Sequence, residues 1–374
     1  MSWHKPENKQ EQLLNSLLHP VSAVYKLAAL SRLMAYKHRV LRQKELSVPV
    51  ISIGNLTVGG TGKTPIIIDL ARDLSQAGLK VGILSRGYKR LSSQTITVVS
   101  DGRNICVDVD QAGDEPFLIA RSVPAAVVVV GADRHAAGKI AIEDYGCDLL
   151  LLDDGFQHLK LDRNFDFLLW DYNDDPDQAL LLPAGRLREP MASIQRADCL
   201  IISKLPDTPD PERLSAIRVM ANKFKPGIPI IQCRFESSAL HRVYNKEKVR
   251  VTTRGAGTRV FAFCGIARPE GFIRNLEAMG CVVAGKQTFG DHHWFNTNDT
   301  QKLIEEFKKS EAEYLVTTEK DRVRLPEDFI EQVPLLELAL STQWQGSSPV
   351  DLPGLKILTR KRANVTKAVV GAHR

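Results

Sequence analysis

Val50-Ile-Ser-Ile-Gly-Asn-Leu-Thr-Val-Gly-Gly-Thr-Gly-Lys-Thr64 passes from an apolar run into a glycine-rich turn and ends in a lysine and a threonine. The β-branched run Val48 to Ile53 predicts a buried strand. Gly59 to Gly62 predicts a tight turn. Lys63 and Thr64 then open a helix over Pro65 to Leu74, with Ile66, Ile67, Leu70 and Leu74 on its apolar side. Strand, glycine loop, Lys-Thr and helix together form a phosphate-binding loop. Its backbone N–H groups and the helix N-terminus converge on phosphate oxygens. The nucleotide cradle is therefore Thr57, Val58, Gly59, Gly60, Thr61, Gly62, Lys63 and Thr64. In such a loop the amine, Lys63, reaches the β- and γ-phosphates, and the Thr64 hydroxyl faces Mg²⁺. Pro65 costs little, because an early helical N–H has no intrahelical partner. Thr57 stands where the general pattern has glycine, but Gly59 and Gly60 still let the backbone approach a phosphate closely.

On either side of this stretch, strands and helices alternate. Lys80 to Leu84 reads as a strand ending in Ser85-Arg-Gly-Tyr88. Asp114 and Glu115 start a short helix. Ala125 to Val130 is a strand, Asp133 to Tyr145 a helix, and Asp148 to Leu152 a strand that runs into Asp153-Asp-Gly-Phe-Gln-His158. Runs apolar on both faces, with helices between them, predict a doubly wound parallel sheet. Ligands in such sheets sit at the carboxyl ends of strands, which places Asp114, Glu115, Asp153 and Asp154 on one edge with the loop. A strand ending in two aspartates suits Mg²⁺, which takes hard oxygen ligands and keeps several waters. Phe165 to Trp170 and Cys199 to Ser203 continue the strands, and Pro211 to Asn222 reads as a helix. The acidic loop 171–177 has no assigned role, and Ser203-Lys204-Leu-Pro lacks the aspartate that reads guanine. Strand-like alternation in Ile228 to Phe235 and Lys248 to Thr252 places a link at 226–255. It separates the larger phosphate-loop domain, 48–225, from a smaller α/β unit, 256–374.

The 374 residues carry a formal charge of +6, unevenly spread. Residues 1–50 contribute +5 and residues 354–374 contribute +6, so the middle of the chain is acidic by 5. Residues 1–11 read as polar and frayed, and the basic C-terminal tail reads as solvated. From Leu13 to Leu41, apolar residues recur at helical spacing among Lys26, Arg32, Lys37, Arg39, Arg42 and Lys44. This makes residues 1–47 a basic amphipathic helix, or two joined at Pro20, that lies on a membrane interface or packs on the core. The basic ends tip that choice toward membrane contact. No apolar run approaches the roughly 20 residues that span a bilayer, and no signal peptide is visible. Six cysteines without a CxxC pair argue for buried small hydrophobes and against a disulfide frame or zinc site.

Asn55-Leu-Thr-Val-Gly-Gly-Thr-Gly-Lys-Thr-Pro65, Ser85-Arg-Gly-Tyr88, Gly113-Asp-Glu-Pro116, Asp153-Asp-Gly-Phe-Gln-His158, Leu182-Pro-Ala-Gly-Arg-Leu-Arg-Glu-Pro190, Asp291-His292 and Thr317-Thr-Glu-Lys-Asp321 follow one another in order. Together they resemble the tetraacyldisaccharide 4′-kinase family of the lipid A pathway, from about residue 13 to about 325. The resemblance implies transfer of the γ-phosphate of ATP to the 4′-hydroxyl of an acylated glucosamine disaccharide 1-phosphate. It implies an enzyme peripheral to the cytoplasmic face of the bacterial inner membrane. It also implies Asp114 as the base and His292, or the adjacent His293, as its partner, with Lys63 as the third catalytic group. Glu115 and Asp153 join Thr64 around Mg²⁺. Asp154, His158, Arg186, Arg188 and Glu189 face the acceptor, the arginines because a planar fork matches phosphate. A two-stranded hinge between the domains is part of the same expectation.

The competing reading is a membrane-recruited ATPase switch of the partitioning type, which shares the glycine loop and the amphipathic helix. Such a switch has no use for Asp153-Asp-Gly-Phe-Gln-His158 or for the paired Asp114 and Glu115. A nucleic-acid binder would need an aromatic-rich basic face, and none is visible.

Overall fold

The computed structural model describes residues 9–88, 90–244, 247–251, 257–266 and 269–358. The first eight residues and the basic tail 359–374 lie outside that range, as does part of the expected link. The first lobe runs α1 (Lys9–Lys37), β1 (Val50–Asn55), α2 (Lys63–Gln76), β2 (Val81–Ser85), β3 (Ile96–Asp101), α3 (Val109–Ala112), α4 (Asp114–Ser122), β4 (Val127–Gly131), α5 (Arg134–Glu143), β5 (Leu149–Asp153), β6 (Phe165–Asp171), β7 (Cys199–Ser203) and α6 (Pro211–Phe224). Then come β8 (Ile230–Tyr244), β9 (Glu247–Val251), β10 (Arg259–Cys264), α7 (Pro269–Ala278), β11 (Val282–Thr288), α8 (Thr297–Lys309), β12 (Tyr314–Thr318), α9 (Glu319–Arg322), α10 (Glu327–Gln332) and β13 (Leu335–Gln345).

All thirteen described strands belong to one sheet, ordered β11-β10-β12-β13-β8-β7-β6-β1-β5-β2-β4-β3, with β9 paired to β8. The glycine-loop strand β1 lies between β5 and β6 and is parallel to both. Its residues alternate between layers. Ile51 and Ile53 enter a core shared with Ile66, Ile67, Leu70 and Leu74 of α2, whereas Val50 meets Ala137 and Ala141 of α5. Each such buried aliphatic side chain contributes roughly 1.5–3 kcal/mol. The register of β1 against β5 sets Asp153 beside Ile53, so the aspartate pair ends its strand next to the glycine loop. A Cβ on Gly54 would lie 2.6 Å from that of Phe156, so this close approach needs glycine. Cys147, Cys199, Cys233, Cys264 and Cys281 are buried free thiols, and Cys106 is exposed.

The link differs from the expected one. The ribbon joining the lobes is β8 paired antiparallel with β13, not with β9 alone, and it continues one sheet through both lobes. After β13 the chain returns to the first lobe. Trp344 donates to Asp69 of α2 at 2.6 Å, and Leu355 is fully buried in the first-lobe core. Trp344, Val350, Leu352 and Leu355, grouped by sequence with the second unit, therefore pack on the first. Pro20 does not split α1, which is one helix of 29 residues.

Candidate active site

One cleft of about 2430 Å³ runs between the lobes. Val58 to Thr64 line it, with Asp114, Glu115, Asp153, Asp154, His158, Arg186, Arg188, His292 and Lys320. Sequence reasoning from distant motifs thus converges on one cavity, with two exceptions. Glu189 is buried outside the cleft and pairs with Arg196 at 2.8 Å. Thr57 is buried as well, and its hydroxyl donates to Asp174 at 3.2 Å.

The buried Thr57 accounts for the missing glycine. Asp174 also pairs with Arg186, whose guanidinium donates to the Val58 carbonyl at 2.8 Å. Ser203 donates to the Thr61 carbonyl at 2.8 Å, and Lys204, paired with Asp171 at 2.7 Å, donates to the Gly60 carbonyl. The Val58, Gly60 and Thr61 carbonyls are thus held by side chains, which fixes the loop's path; an anion nest requires such a loop to leave N–H groups free for phosphate. Arg186, which also lines the cleft, therefore braces the loop. Asp171 and Asp174 give the acidic loop a role that composition alone does not reveal. Gly62 has φ +85° and would place a Cβ 2.3 Å from the Phe235 ring, so it tolerates no side chain.

Lys63 donates to Asn55 Oδ1 at 3.1 Å and lies 3.4 Å from Asp154. Arg188 grips both Asp154 oxygens, at 2.8 and 2.9 Å. Burial alone would raise the Asp154 carboxyl, but Lys63 and Arg188 outweigh it and hold the group well below the usual carboxylate range. Asp153 is pushed up, first by burial and then by the neighbouring charges of Glu115 and Asp154, while the Ser85 hydroxyl donates to it at 2.8 Å. Asp154 is neutralised by Lys63 and Arg188, so it is Asp153, beside Glu115, that a cation would relieve. Thr64, Glu115 and Asp153 are hard oxygen donors, although among the described residues no group of three His, Cys, Asp or Glu could hold a metal ion by itself. That set fits Mg²⁺, which keeps waters and phosphate oxygens as its other ligands.

Across the cleft, His292 Nδ1 lies 2.7 Å from Asp114 Oδ2, and His293 pairs instead with Asp299 at 2.8 Å. This settles which histidine meets Asp114. His292 sits at φ +61°. Its backbone N–H donates to the Gly265 carbonyl at 3.2 Å. Lys320 Nζ lies 3.1 Å from His292 Nε2 and 3.5 Å from Glu115. An ammonium only donates, so Nε2 carries the lone pair, and Nδ1 carries the proton given to Asp114. Arg324, fully buried, lies 3.7 Å from Asp114. Burial would raise Asp114, but His292, Lys320 and Arg324 hold its carboxyl below the usual range. Lys320 and Arg324 belong to or follow the Thr317–Asp321 motif, whose position in the site only the tertiary fold reveals.

His158 is pushed down to about 4, first by burial and then by Arg134 and Arg163. Between pH 6.5 and about 4 the unfolded chain therefore binds a proton that the folded chain refuses, so stability falls as the pH drops through this window. His158→Gln should lose less stability than the wild type between about pH 7 and about pH 5, measured by denaturant unfolding at each pH. Equal losses would contradict this.

Comparison with known proteins agrees with this geometry. Residues 14–350 match the model of the family described as tetraacyldisaccharide-1-P 4′-kinase. A tetraacyldisaccharide 4′-kinase of Pelobacter propionicus is 40% identical over 316 residues, covering 84% of each chain. One from Desulfotalea psychrophila is 35% identical over 328 residues, covering 87% of this chain and 92% of that one. The crystal structure of LpxK from Aquifex aeolicus in complex with ATP superposes with a TM-score of 0.74 at 32% identity, covering 93% of this chain and 99% of that one.

Proposed function

The chain belongs to the tetraacyldisaccharide-1-P 4′-kinase family, and from that premise we propose that the cleft between its lobes carries out the transfer, with His292 as the base. The enzyme phosphorylates the 4′-hydroxyl of a tetraacyldisaccharide 1-phosphate with ATP, and the partitioning-type switch is not favoured. The observation that carries the assignment of roles is the chain Asp114–His292–Lys320, set opposite the glycine loop.

Lys63 and the loop's N–H groups hold the terminal phosphates. Thr64, Asp153 and Glu115 would hold Mg²⁺, which would supply positive charge against the negative charge of the phosphates. The expectation that Asp114 takes the proton changes here. Its carboxylate is largely buried against the imidazole and held ionised by its neighbours, which makes it a weak base. It is suited to fixing the tautomer in which Nε2 presents a lone pair. Lys320 occupies that lone pair, and moving its ammonium onto the transferring phosphate would release Nε2 to accept the proton of the 4′-hydroxyl. Proton removal and charge neutralisation would then be linked through one side chain.

The acceptor's own phosphate requires cations elsewhere, because Arg186 and Arg188 are committed to the glycine loop and to Asp154. Arg42, Arg86, Arg134 and Lys160 line the same cleft on the His158 side. Buried Arg134, pushed down to about 10 by burial first, keeps its Nε without a protein partner and is the strongest candidate.

We place the enzyme on the lipid surface through α1. Val21, Val24, Leu27 and Met34 are exposed on one side of that helix, Val24 at 67% and Leu27 at 66%, with Lys26 and Lys37 beside them. No described helix is long and apolar enough to cross a membrane. An apolar strip edged by cations matches an anionic bilayer surface. Val24→Asp/Leu27→Asp should lose co-sedimentation with anionic vesicles, and retention of the wild-type level would contradict this placement. The transfer itself is tested with γ-labelled ATP and a dispersed acylated disaccharide 1-phosphate: label in the lipid supports the kinase, and label only in free phosphate overturns it.

A further inference from the structure

A globular helix turns its apolar stripe to the core, yet in α1 Val21, Val24, Leu27 and Met34 are exposed, Leu30 and Leu33 are only partly covered, and polar side chains make the directional contacts to the rest of the protein. Ser22, buried, donates to the Leu181 carbonyl at 3.1 Å and accepts from the Ala184 N–H at 3.0 Å. The Tyr25 hydroxyl donates to the Arg188 carbonyl at 2.8 Å. Arg32 donates to the Gln157 carbonyl at 2.9 Å. Each contact lands on a segment that carries a cleft residue.

Two routes lead from these contacts to the glycine-loop lysine. The first runs from Tyr25 to Arg188, whose guanidinium grips Asp154, which lies 3.4 Å from Lys63. In the second, Arg32 holds Gln157, whose amide donates to the Asn55 carbonyl at 2.9 Å. The Asn55 side chain accepts from Lys63 at 3.1 Å. Directional hydrogen bonds add little net stability, about 1 kcal/mol each, but they fix position. We propose that α1 is a positioning element of the active site: Tyr25 and Arg32 set Arg188, Asp154 and Asn55, and through them Lys63, so that the helix facing the lipid also aligns the phosphate-holding amine.

This inference rests on the kinase reading, and the test separates the two. Transfer is measured on full-length protein with a detergent-dispersed acylated disaccharide 1-phosphate, where recruitment to a bilayer plays no part. Tyr25→Phe should lower kcat about fivefold, the factor carried by one net hydrogen bond. Its KM for the acceptor, its melting temperature and its co-sedimentation with vesicles should hold. Arg32→Ala should act likewise, and Arg32→Lys, which keeps a donor, should recover most of the loss. A wild-type kcat in Tyr25→Phe and Arg32→Ala, or a raised acceptor KM at unchanged kcat, would overturn the proposal, because the helix would then only recruit. Failure of the wild type to label lipid would overturn the kinase reading and this inference with it.

Discussion

Lys63→Ala is expected to cut turnover by roughly a thousandfold or more while leaving a folded protein. The amine is the only side-chain cation that the glycine loop itself supplies, and it is already held in place by Asn55 and Asp154. Its removal takes a positive charge from the site where negative charge must be stabilised during transfer. It also leaves Asp154 paired with Arg188 alone, so the variant gains an imperfectly balanced carboxylate beside the incoming phosphates. Folding should persist, because Lys63 takes no part in the apolar cores, and a melting curve checks this. Lys63→Arg should recover little. Its planar fork is longer than the ammonium and does not fit the short span between Asn55 and Asp154. Saturation kinetics measure the effect, and a loss of less than about tenfold would mean that Lys63 is not the phosphate-holding amine.

The second large effect concerns the opposite wall. His292→Ala should lower kcat by roughly 10²–10⁴, the range for loss of a positioned base, with ATP affinity nearly unchanged. Asp114→Asn should lower kcat by less. The amide can still touch Nδ1 but no longer dictates the tautomer. The decisive variant is the double one. If Asp114 acts through His292, removing it from the His292→Ala background costs almost nothing further, because residues that work as a unit are not additive. Full additivity would show Asp114 taking the proton independently, as the sequence resemblance implied. A matching loss of ATP affinity would instead assign the pair to nucleotide or metal.

What the sequence revealed divides along a physical line. Features local to a few residues were legible. The glycine loop, the aspartate-ended strand and the helix opened by Asp114 and Glu115 each carry their geometry in the order of their residues. The register of β1 against β5 then brings these features together without further information. Features made by distant parts of the chain were not. The run Leu335 to Leu340 is apolar except for Glu337, yet only pairing with β8 makes it half of the ribbon between the lobes. Glu189 lies between an active-site arginine and a proline and reads as a site residue, but Arg196 draws it into the interior. The acidic loop reads as solvated, because its partners Arg186 and Lys204 lie beyond any helical or strand period. Lys320 shows no signal except its motif, since its neighbours His292 and Glu115 come from two other segments.

In the proposed mechanism, triphosphate lies on the glycine loop beside Lys63 while His292 faces it from the other lobe. A crystal structure with Mg²⁺ and a non-hydrolysable ATP analogue tests this most directly. The predicted result has the terminal phosphate within hydrogen-bond distance of Lys63, Thr64, Asp153 and Glu115 gathered at the ion, and His292 Nε2 released from Lys320. A triphosphate lying away from Lys63, or an imidazole still bound to the ammonium with the terminal phosphate already in place, would contradict it.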